Sequence, residues 1–146
     1  MKISEKGIRL IKNFEGCKLQ AYKDSAGVPT IGYGTIVYHD TDKRVAMGDT
    51  ITQERAEYEL SQYLHEMQKR LPPVNKLKQN QYDAVCSFCY NLGIANFKSS
   101  TLYKRIQKDP NDATIRDEFM KWVNAGGKKI QGLVNRRKAE VDVYFG

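Results

Sequence analysis

The start of the chain places apolar side chains at helical spacing. They recur every three or four residues, the period of a helix with one buried face. The positions are Ile3, Gly7, Leu10, Ile11 and Phe14. Ser4 suits the amino end of this helix, because its hydroxyl can accept a hydrogen bond from a free backbone amide. The pattern predicts a first helix that ends near Gly16.

The pattern changes over residues 18–38, where several glycines and a proline exclude a helix. β-branched and aromatic residues, which favour strands, dominate this stretch. Asp24-Ser-Ala-Gly27 is typical of a turn that joins two strands. A second polar turn is predicted over residues 39–43, and a short third strand over residues 44–47.

A long helix is predicted over about residues 52–71, with Thr52 as its cap and Pro72-Pro73 as its end. Its apolar stripe consists of Ala56, Leu60, Tyr63, Leu64, Met67 and Leu71. A helix of about 19 residues spans roughly 28 Å, which is enough to connect two lobes.

The remainder of the chain is predicted to be helical. The expected helices are residues 78–92, a segment from Ser99 or Ser100 to 107, residues 113–123 and residues 131–145. The first of these is apolar on nearly all sides, so we expect it to be the central helix of its lobe, with Gly93 as its carboxyl cap.

These elements predict an α+β fold with a small N-terminal β-lobe and a larger all-α lobe joined by a long helix. We expect one domain over residues 1–146: a β-lobe at about 14–51, a connecting helix at 52–71, and an α-lobe of 72–146 with the helix of 1–13. A cleft between two such lobes would suit an extended polymer.

Charge and hydropathy restrict the partners. The net charge of +7 favours a polyanion such as nucleic acid, anionic lipid or an anionic cell wall, without choosing among them. No apolar run is long enough to span a membrane, and the first sixteen residues lack the apolar core of a secretory signal. We therefore expect synthesis in the cytoplasm and action elsewhere only after release.

The three cysteines predict no metal and no cofactor. Cys86 and Cys89 form a C-x-x-C pair in an apolar stretch, and neither His39 nor His65 supplies a second ligand pair at metal spacing. We interpret both cysteines as core side chains. With Cys17 the count is odd, which argues against a disulfide framework.

Three polar residues near the first turn are candidates for chemistry. Glu15 lies at the end of the first predicted helix, Asp24 in the turn, and Thr30 on the returning strand. Cleavage of a glycosidic bond needs an acid for the leaving oxygen and a base or nucleophile on the opposite face of the sugar, and carboxyl groups fill both roles. Singly, each residue has an ordinary structural explanation, as a surface Glu, a turn-forming Asp and a strand Thr.

The same stretch resembles a family signature. Residues 14–34 contain a Glu, eight residues, an Asp, five residues, a Thr and then Ile-Gly-x-Gly, a combination similar to that of the phage-type lysozymes (endolysins), glycoside hydrolase family 24. Segments that resemble the C-terminal lobe of this family follow in order at 91–93, 97–102, 119–122, 125–127 and 132–137, with Glu140. The resemblance covers nearly the whole chain.

The resemblance implies an activity and roles for these residues. It implies a muramidase that cleaves the β-1,4 bond between N-acetylmuramic acid and N-acetylglucosamine in peptidoglycan for bacterial cell lysis, by inversion and without a cofactor. Glu15 would be the general acid, Asp24 and Thr30 would hold the attacking water, and Arg136 would orient the acid. Inverting carboxyl groups must lie about 6.5–9.5 Å apart to leave room for that water.

Further residues carry over by motif position as substrate contacts, although each has a packing or capping alternative. They are Ile36, Tyr90, Asn91, Ser100 and Asn124. One departure concerns Thr35, which follows Ile-Gly-x-Gly where several members of the family have His. A His–carboxylate pair is therefore not expected at this position.

Two other functions remain open at this stage. A lytic transglycosylase would keep the acid and form an anhydro sugar without water, whereas Asp24 and Thr30 favour hydrolysis because a water must be held. A wall-binding or nucleic-acid-binding module without catalysis is compatible with the charge. We expect peptidoglycan glycan strands as the partner, a holin for export, no nucleic acid, no membrane span and a monomer.

Overall fold

A computed structural model describes residues 1–74 and 76–146. Its helices are α1 (Glu5–Glu15), α2 (Gln53–Arg70), α3 (Gln79–Leu92), α4 (Ile94–Ser99), α5 (Thr101–Lys108), α6 (Ile115–Met120) and α7 (Gln131–Tyr144). Two antiparallel strand pairs consist of β1 (Lys18–Lys23) with β2 (Pro29–Gly32) and β3 (Asn124–Ala125) with β4 (Lys128–Lys129). The predicted α+β class, with an N-terminal hairpin and a mostly helical remainder, is confirmed.

Contacts along the chain define two compact units. The first, which we call the β-unit, comprises residues 12–69, and the second, the helical unit, comprises residues 1–11 and 70–146. The lobe boundaries given above remain predictions.

The hairpin of the β-unit has the predicted turn. Lys23 faces Pro29 across the two strands, and the chain between them turns at Gly27, whose φ of +79° suits a residue without a Cβ atom. The amide of Gly27 donates to the carbonyl of Asp24 at 2.9 Å. The prediction of a turn over Asp24 to Gly27 is therefore confirmed.

The third strand predicted over residues 44–47 is wrong. The pairing is a single bridge between Val37 and Arg44, followed by a hydrogen bond of 2.9 Å from the Val45 amide to the Ile36 carbonyl. The carboxylate of Asp49 then accepts the Ala46 amide at 3.0 Å. A side chain that takes up a backbone amide in this way offers an alternative to strand pairing, and here it folds the chain into a turn.

Helix α2 begins as predicted, because the Thr52 hydroxyl accepts the Arg55 amide at 3.0 Å. Its buried face carries Ala56, Glu59, Leu60, Leu64 and Met67. Tyr63 was predicted on this face but is 41% exposed, and the sequence pattern missed the burial of Glu59.

A cluster of partly exposed polar side chains explains how the buried Glu59 is accommodated. Its carboxylate lies 2.7 Å from Nδ1 of His39 and accepts a hydrogen bond of 3.1 Å from Nε of Arg55. Arg55 also contacts Asp40 at 2.6 Å. These partners offset the cost of burying a carboxylate. Position 35 is a threonine and forms no such pair, but a His–carboxylate pair is present four residues later, between His39 and Glu59.

Helix α3 is the centre of the helical unit, as predicted. Its side chains from Gln81 to Cys89 are all buried. The Phe88 ring meets Phe97, Phe119 and Trp122 edge-on, with ring centroids 5.9, 5.8 and 5.6 Å away. Aromatic rings favour this geometry because the positive edge of one faces the negative face of another.

The sequence patterns missed α4 and the β3–β4 hairpin. The predicted helix over residues 113–123 is the shorter α6, because the chain turns at Gly126 and Gly127, with φ of +58° and +78°. Two consecutive residues with positive φ form the tight turn that fits a two-stranded hairpin. Gly93 caps α3 as predicted, with a φ of +90° and a hydrogen bond of 2.8 Å to the Cys89 carbonyl.

The cysteine pair of α3 is buried, as a core role requires. Burial raises the pKa of the Cys86 thiol to about 12 and raises that of Cys89 as well. Within the described residues, no helix has both the length and the apolar character to cross a membrane.

Candidate active site

Glu15 is the last residue of α1 and is half-buried. The helix starts at Ser4, whose hydroxyl accepts the Gly7 amide at 3.4 Å, in keeping with the predicted cap. It ends because Gly16 adopts a φ of +67° while its amide donates to the Lys12 carbonyl at 2.9 Å. The capping glycine thus places the carboxyl group of Glu15 at the point where the chain leaves the helix.

Asp24 organises the turn that follows β1. Its Oδ1 accepts hydrogen bonds from the amides of Ala26 and Val28, both at 2.9 Å. Among the described residues, none donates a hydrogen bond to its other oxygen, Oδ2. One carboxylate oxygen is thus fixed by the backbone, and the second can accept a hydrogen bond from a ligand.

Thr30 lies on β2 and is 4% exposed. Its hydroxyl donates to the Val28 carbonyl at 2.9 Å. A hydroxyl has one hydrogen and two lone pairs, so Oγ1 can still accept. Toward any further partner, Thr30 therefore acts as an acceptor.

Tyr22 connects these residues. It faces Thr30 across the antiparallel pair, which puts both side chains on the same face of the hairpin. Burial raises the pKa of its phenol, and the negative charges of Glu15 and then Asp24 raise it further. Both carboxyl groups must therefore lie within electrostatic range of one phenol, inside the β-unit.

Tyr22 was not among the residues predicted for the site from the sequence. Strand alternation offered a signal, because Tyr22 and Asp24 are two residues apart and residues at that spacing project to one face of a strand. The hairpin register, which fixes Tyr22 opposite Thr30, was needed to interpret it. The ammonium of Lys18 lies 4.7 Å from the centroid of the Tyr22 ring and so forms a cation–π contact.

Arg136 belongs to a buried polar network of the helical unit. It is 4% exposed, and its guanidinium donates to the Ser87 carbonyl at 3.3 Å. The Ser87 hydroxyl donates to Glu140 at 2.5 Å, and Nε of Arg137 lies 2.7 Å from the same carboxylate. Burial raises the pKa of Glu140 and lowers that of Arg137, against the opposing effect of their mutual attraction.

The residues predicted as substrate contacts have different surroundings. Ser100 is 5% exposed and caps α5, because its hydroxyl accepts the Tyr103 amide at 3.0 Å. Ile36 is 44% exposed in the β-unit, and Asn124 is exposed on β3. Tyr90 and Asn91 are half-buried at the end of α3, where the Asn91 side chain accepts a hydrogen bond of 2.7 Å from Arg137.

No group of three or more His, Cys, Asp or Glu side chains in the described part of the chain is arranged to hold a metal ion. The side chains of Glu15, Asp24 and Thr30 can supply proton transfer and hydrogen bonds. Acid–base hydrolysis requires a proton donor and groups that hold a water. The partly exposed carboxyl group of Glu15 suits the first role, and the second oxygen of Asp24 and the acceptor hydroxyl of Thr30 suit the other.

Comparison with known proteins places this arrangement in a family. Residues 12–140 match the family described as phage lysozyme. The chain is 44% identical to an endolysin of Acyrthosiphon pisum secondary endosymbiont phage 1, over 99% of this chain and 98% of that protein. It is 41% identical to the endolysin of Bacillus phage PZA, where it matches 99% of its own length and 55% of the relative.

A solved structure has the same fold. The endolysin from Escherichia coli O157:H7 phage FAHEc1 superposes with a TM-score of 0.85 at 40% identity, covering 99% of this chain and 93% of that one. The matched region contains every residue of the Glu–Asp–Thr set described above. The chain therefore belongs to the phage lysozyme family, the glycoside hydrolases with which phages cleave the peptidoglycan of the host cell wall during lysis.

Proposed function

We propose that the protein is an inverting muramidase that hydrolyses the β-1,4 bond between N-acetylmuramic acid and N-acetylglucosamine. Glu15 donates a proton to the leaving oxygen, while Asp24 and Thr30 hold a water on the opposite face of the sugar. The observation that supports this assignment is the position of Tyr22. It faces Thr30 across the hairpin, and the pKa of its phenol is raised by burial and by the negative charges of Glu15 and Asp24.

The hydrogen bonds of Thr30 and Asp24 would orient that water. The Thr30 hydroxyl hydrogen is already donated to the Val28 carbonyl, so a water bound to Oγ1 must donate to it. The second hydrogen of the water would then point to Oδ2 of Asp24, since Oδ1 is taken by two amides. With both hydrogens committed, a lone pair of the water is free to attack the anomeric carbon.

The bond changes balance in a single displacement. The water oxygen bonds to the anomeric carbon while the bond to the leaving oxygen breaks, and the proton of Glu15 passes to that oxygen. The carboxylate of Asp24 takes a proton from the water. Attack opposite to the departing group inverts the configuration at the anomeric carbon.

Substitution of the acid tests the proposal. Glu15→Gln removes the proton donor but keeps the size of the side chain, so we expect lysis of permeabilised Gram-negative cells, followed by turbidity, to fall by about 10²–10⁴-fold. Glu66→Gln is the matched control, because Glu66 is an exposed residue of α2 in the same unit. Full lysis by Glu15→Gln would overturn the assignment of the acid.

Product analysis separates hydrolysis from transglycosylation. When digestion is carried out in water labelled with ¹⁸O, a hydrolase yields reducing ends that carry the label. A lytic transglycosylase yields unlabelled anhydro ends. Mass spectrometry of the released muropeptides reads both, and a majority of anhydro ends would contradict the proposed role of Asp24 and Thr30.

Several further roles stay predictions from the family resemblance. They are the orientation of the acid by Arg136 and the substrate contacts of Ile36, Tyr90, Asn91, Ser100 and Asn124. We also propose that the protein acts as a monomer, without nucleic acid, and that a holin gives it access to the wall. Sedimentation at lysis-active concentrations tests the monomer, and lysis timing with and without the holin tests the route.

A further inference from the structure

The buried guanidinium of Arg137 is fixed from several directions. Its side chain is fully buried, and Nη2 donates to Glu140 at 3.2 Å while Nη1 donates to the Trp122 carbonyl at 3.4 Å. Its centre lies 5.2 Å from the centroid of the Phe88 ring. A planar group held by a carboxylate, a carbonyl and a ring face has little freedom to turn.

One further hydrogen bond leaves this network. Nη2 of Arg137 donates to Oδ1 of Asn91 at 2.7 Å, across 46 residues of sequence. A guanidinium has donors only, so the atom of Asn91 that faces it must be the carbonyl oxygen and not the amide nitrogen. Arg137 therefore selects one of the two orientations of the Asn91 carboxamide, and Nδ2 with its two hydrogens is directed away from the guanidinium.

Asn91 lies where α3 reaches the surface. The side chains from Gln81 to Cys89 are buried, whereas Tyr90, Asn91 and Leu92 are partly exposed. A fixed donor at this partly exposed end of the helix is available to a ligand. A ligand group that meets Nδ2 must be an acceptor, because an amide nitrogen only donates.

We propose that Arg137 is a positioning residue, which holds the Asn91 amide as a hydrogen-bond donor to an N-acetyl carbonyl oxygen of the glycan strand. The inference rests on the proposed function for its substrate, in which every sugar carries an N-acetyl group. The carbonyl oxygen of an amide accepts but does not donate, so it matches the Nδ2 atom of Asn91, which can only donate. A hydroxyl group could bind to either orientation of the amide and would need no such selection.

Asn91→Asp tests the donor with little disturbance of the fold. The new carboxylate still accepts from Arg137, but it has no hydrogen to give. Asn135→Asp is the matched control, because Asn135 is an exposed residue of α7 that accepts from Gln131, and aspartate preserves that bond as well. Both variants add one negative charge to the same unit.

The probe is N,N′,N″-triacetylchitotriose, whose binding is measured by calorimetry. We expect Asn91→Asp to weaken binding about five-fold, the effect of one hydrogen bond, and to raise KM on wall fragments while kcat changes little. The control should match the wild type. Equal affinity of the two variants for the trisaccharide would overturn the inference, as would unaltered KM.

A second pair of variants tests Arg137 itself. Lysine also donates and cannot accept, so Arg137→Lys should preserve the orientation of the amide, whereas Arg137→Gln allows Asn91 to flip. In ¹⁵N spectra, the side-chain amide signals of Asn91 should shift on addition of the trisaccharide in the wild type and in Arg137→Lys. The shift should be lost in Arg137→Gln, and its persistence there would contradict the positioning role.

These measurements separate the inference from the proposed function. Binding of the trisaccharide requires no catalysis, so it can be measured in Glu15→Gln as well as in the wild type. Retained lysis by Glu15→Gln would remove the proposed mechanism and leave the binding results standing. Normal binding by Asn91→Asp would remove the inference and leave the mechanism standing.

Discussion

Asp24 has two roles in this account, and two substitutions separate them. In the first role its Oδ1 accepts the amides of Ala26 and Val28, both at 2.9 Å, and so stabilises the turn. In the second, its charge draws a proton from the attacking water. Asp24→Asn keeps an amide oxygen for the two backbone bonds but removes the charge, whereas Asp24→Ala removes both.

The structure sets the expected magnitudes. Two partly exposed hydrogen bonds of a turn cap are worth about 1–2 kcal/mol together, so Asp24→Ala should lose that much stability. In a domain of this size that loss lowers Tm by about 3–8 °C. Asp24→Asn should stay within about 0.5 kcal/mol of the wild type, because asparagine forms the same turn. Both variants should lose lysis by about 10²–10⁴-fold.

Thermal unfolding by circular dichroism and clearing of permeabilised cells measure the two effects on the same samples. The diagnostic result is an asparagine variant that melts like the wild type and does not lyse. If Asp24→Asn instead keeps wild-type lysis, the residue serves only the turn, and the assignment of a base is refuted. If it melts as low as Asp24→Ala, the turn depends on the charge and not on the hydrogen bonds.

Three further predictions concern the helical unit and the cysteines. Phe88→Ala removes a fully buried ring that packs against three others, so it should lower the free energy of unfolding in urea by about 3–5 kcal/mol. A decrease below about 1 kcal/mol would contradict the packing described. In the native protein, a disulfide reagent should modify Cys17 within minutes and leave Cys86 and Cys89 unmodified until the chain unfolds, because both are buried thiols with raised pKa. Rapid modification of all three cysteines in the native protein would contradict this. Because burial raises the pKa of Glu140, the stability linked to its protonation is present below its ordinary value of 4.5 and is lost as the pH rises through the raised pKa. In urea unfolding from pH 4.5 upward, the free energy of unfolding of Glu140→Gln should therefore rise relative to that of the wild type as the pH rises. A difference in free energy that does not change with pH would contradict a raised pKa of Glu140.

Local patterns predicted most of the secondary structure because they act over a few residues. The helical period of residues 5–15, the Thr52 cap and the glycine at position 93 each depend on neighbours in sequence, and each was predicted correctly. The strand expected over residues 44–47 was wrong because the side chain of Asp49 takes up the amide that a strand would pair. Propensities of single residues contain no information about that competition.

The candidate site was predictable in part. The spacing of Glu15, Asp24 and Thr30 matched a family signature, whereas Tyr22 became visible only through the hairpin register. Buried charges were the least predictable feature. Arg137 and Glu59 look like surface residues in the sequence, and their burial depends on partners far along the chain, Asn91 for the first and His39 for the second.

The configuration of the first product tests the central claim most directly. If Glu15 protonates the leaving oxygen while Asp24 directs a water to the opposite face, the newly formed reducing end appears first as the α anomer, which then equilibrates with the β anomer. Proton NMR of a short, high-enzyme digest of glycan strands resolves the two anomeric signals before mutarotation. Initial release of the β anomer would contradict the mechanism, because it requires attack from the side of the departing group or a covalent intermediate.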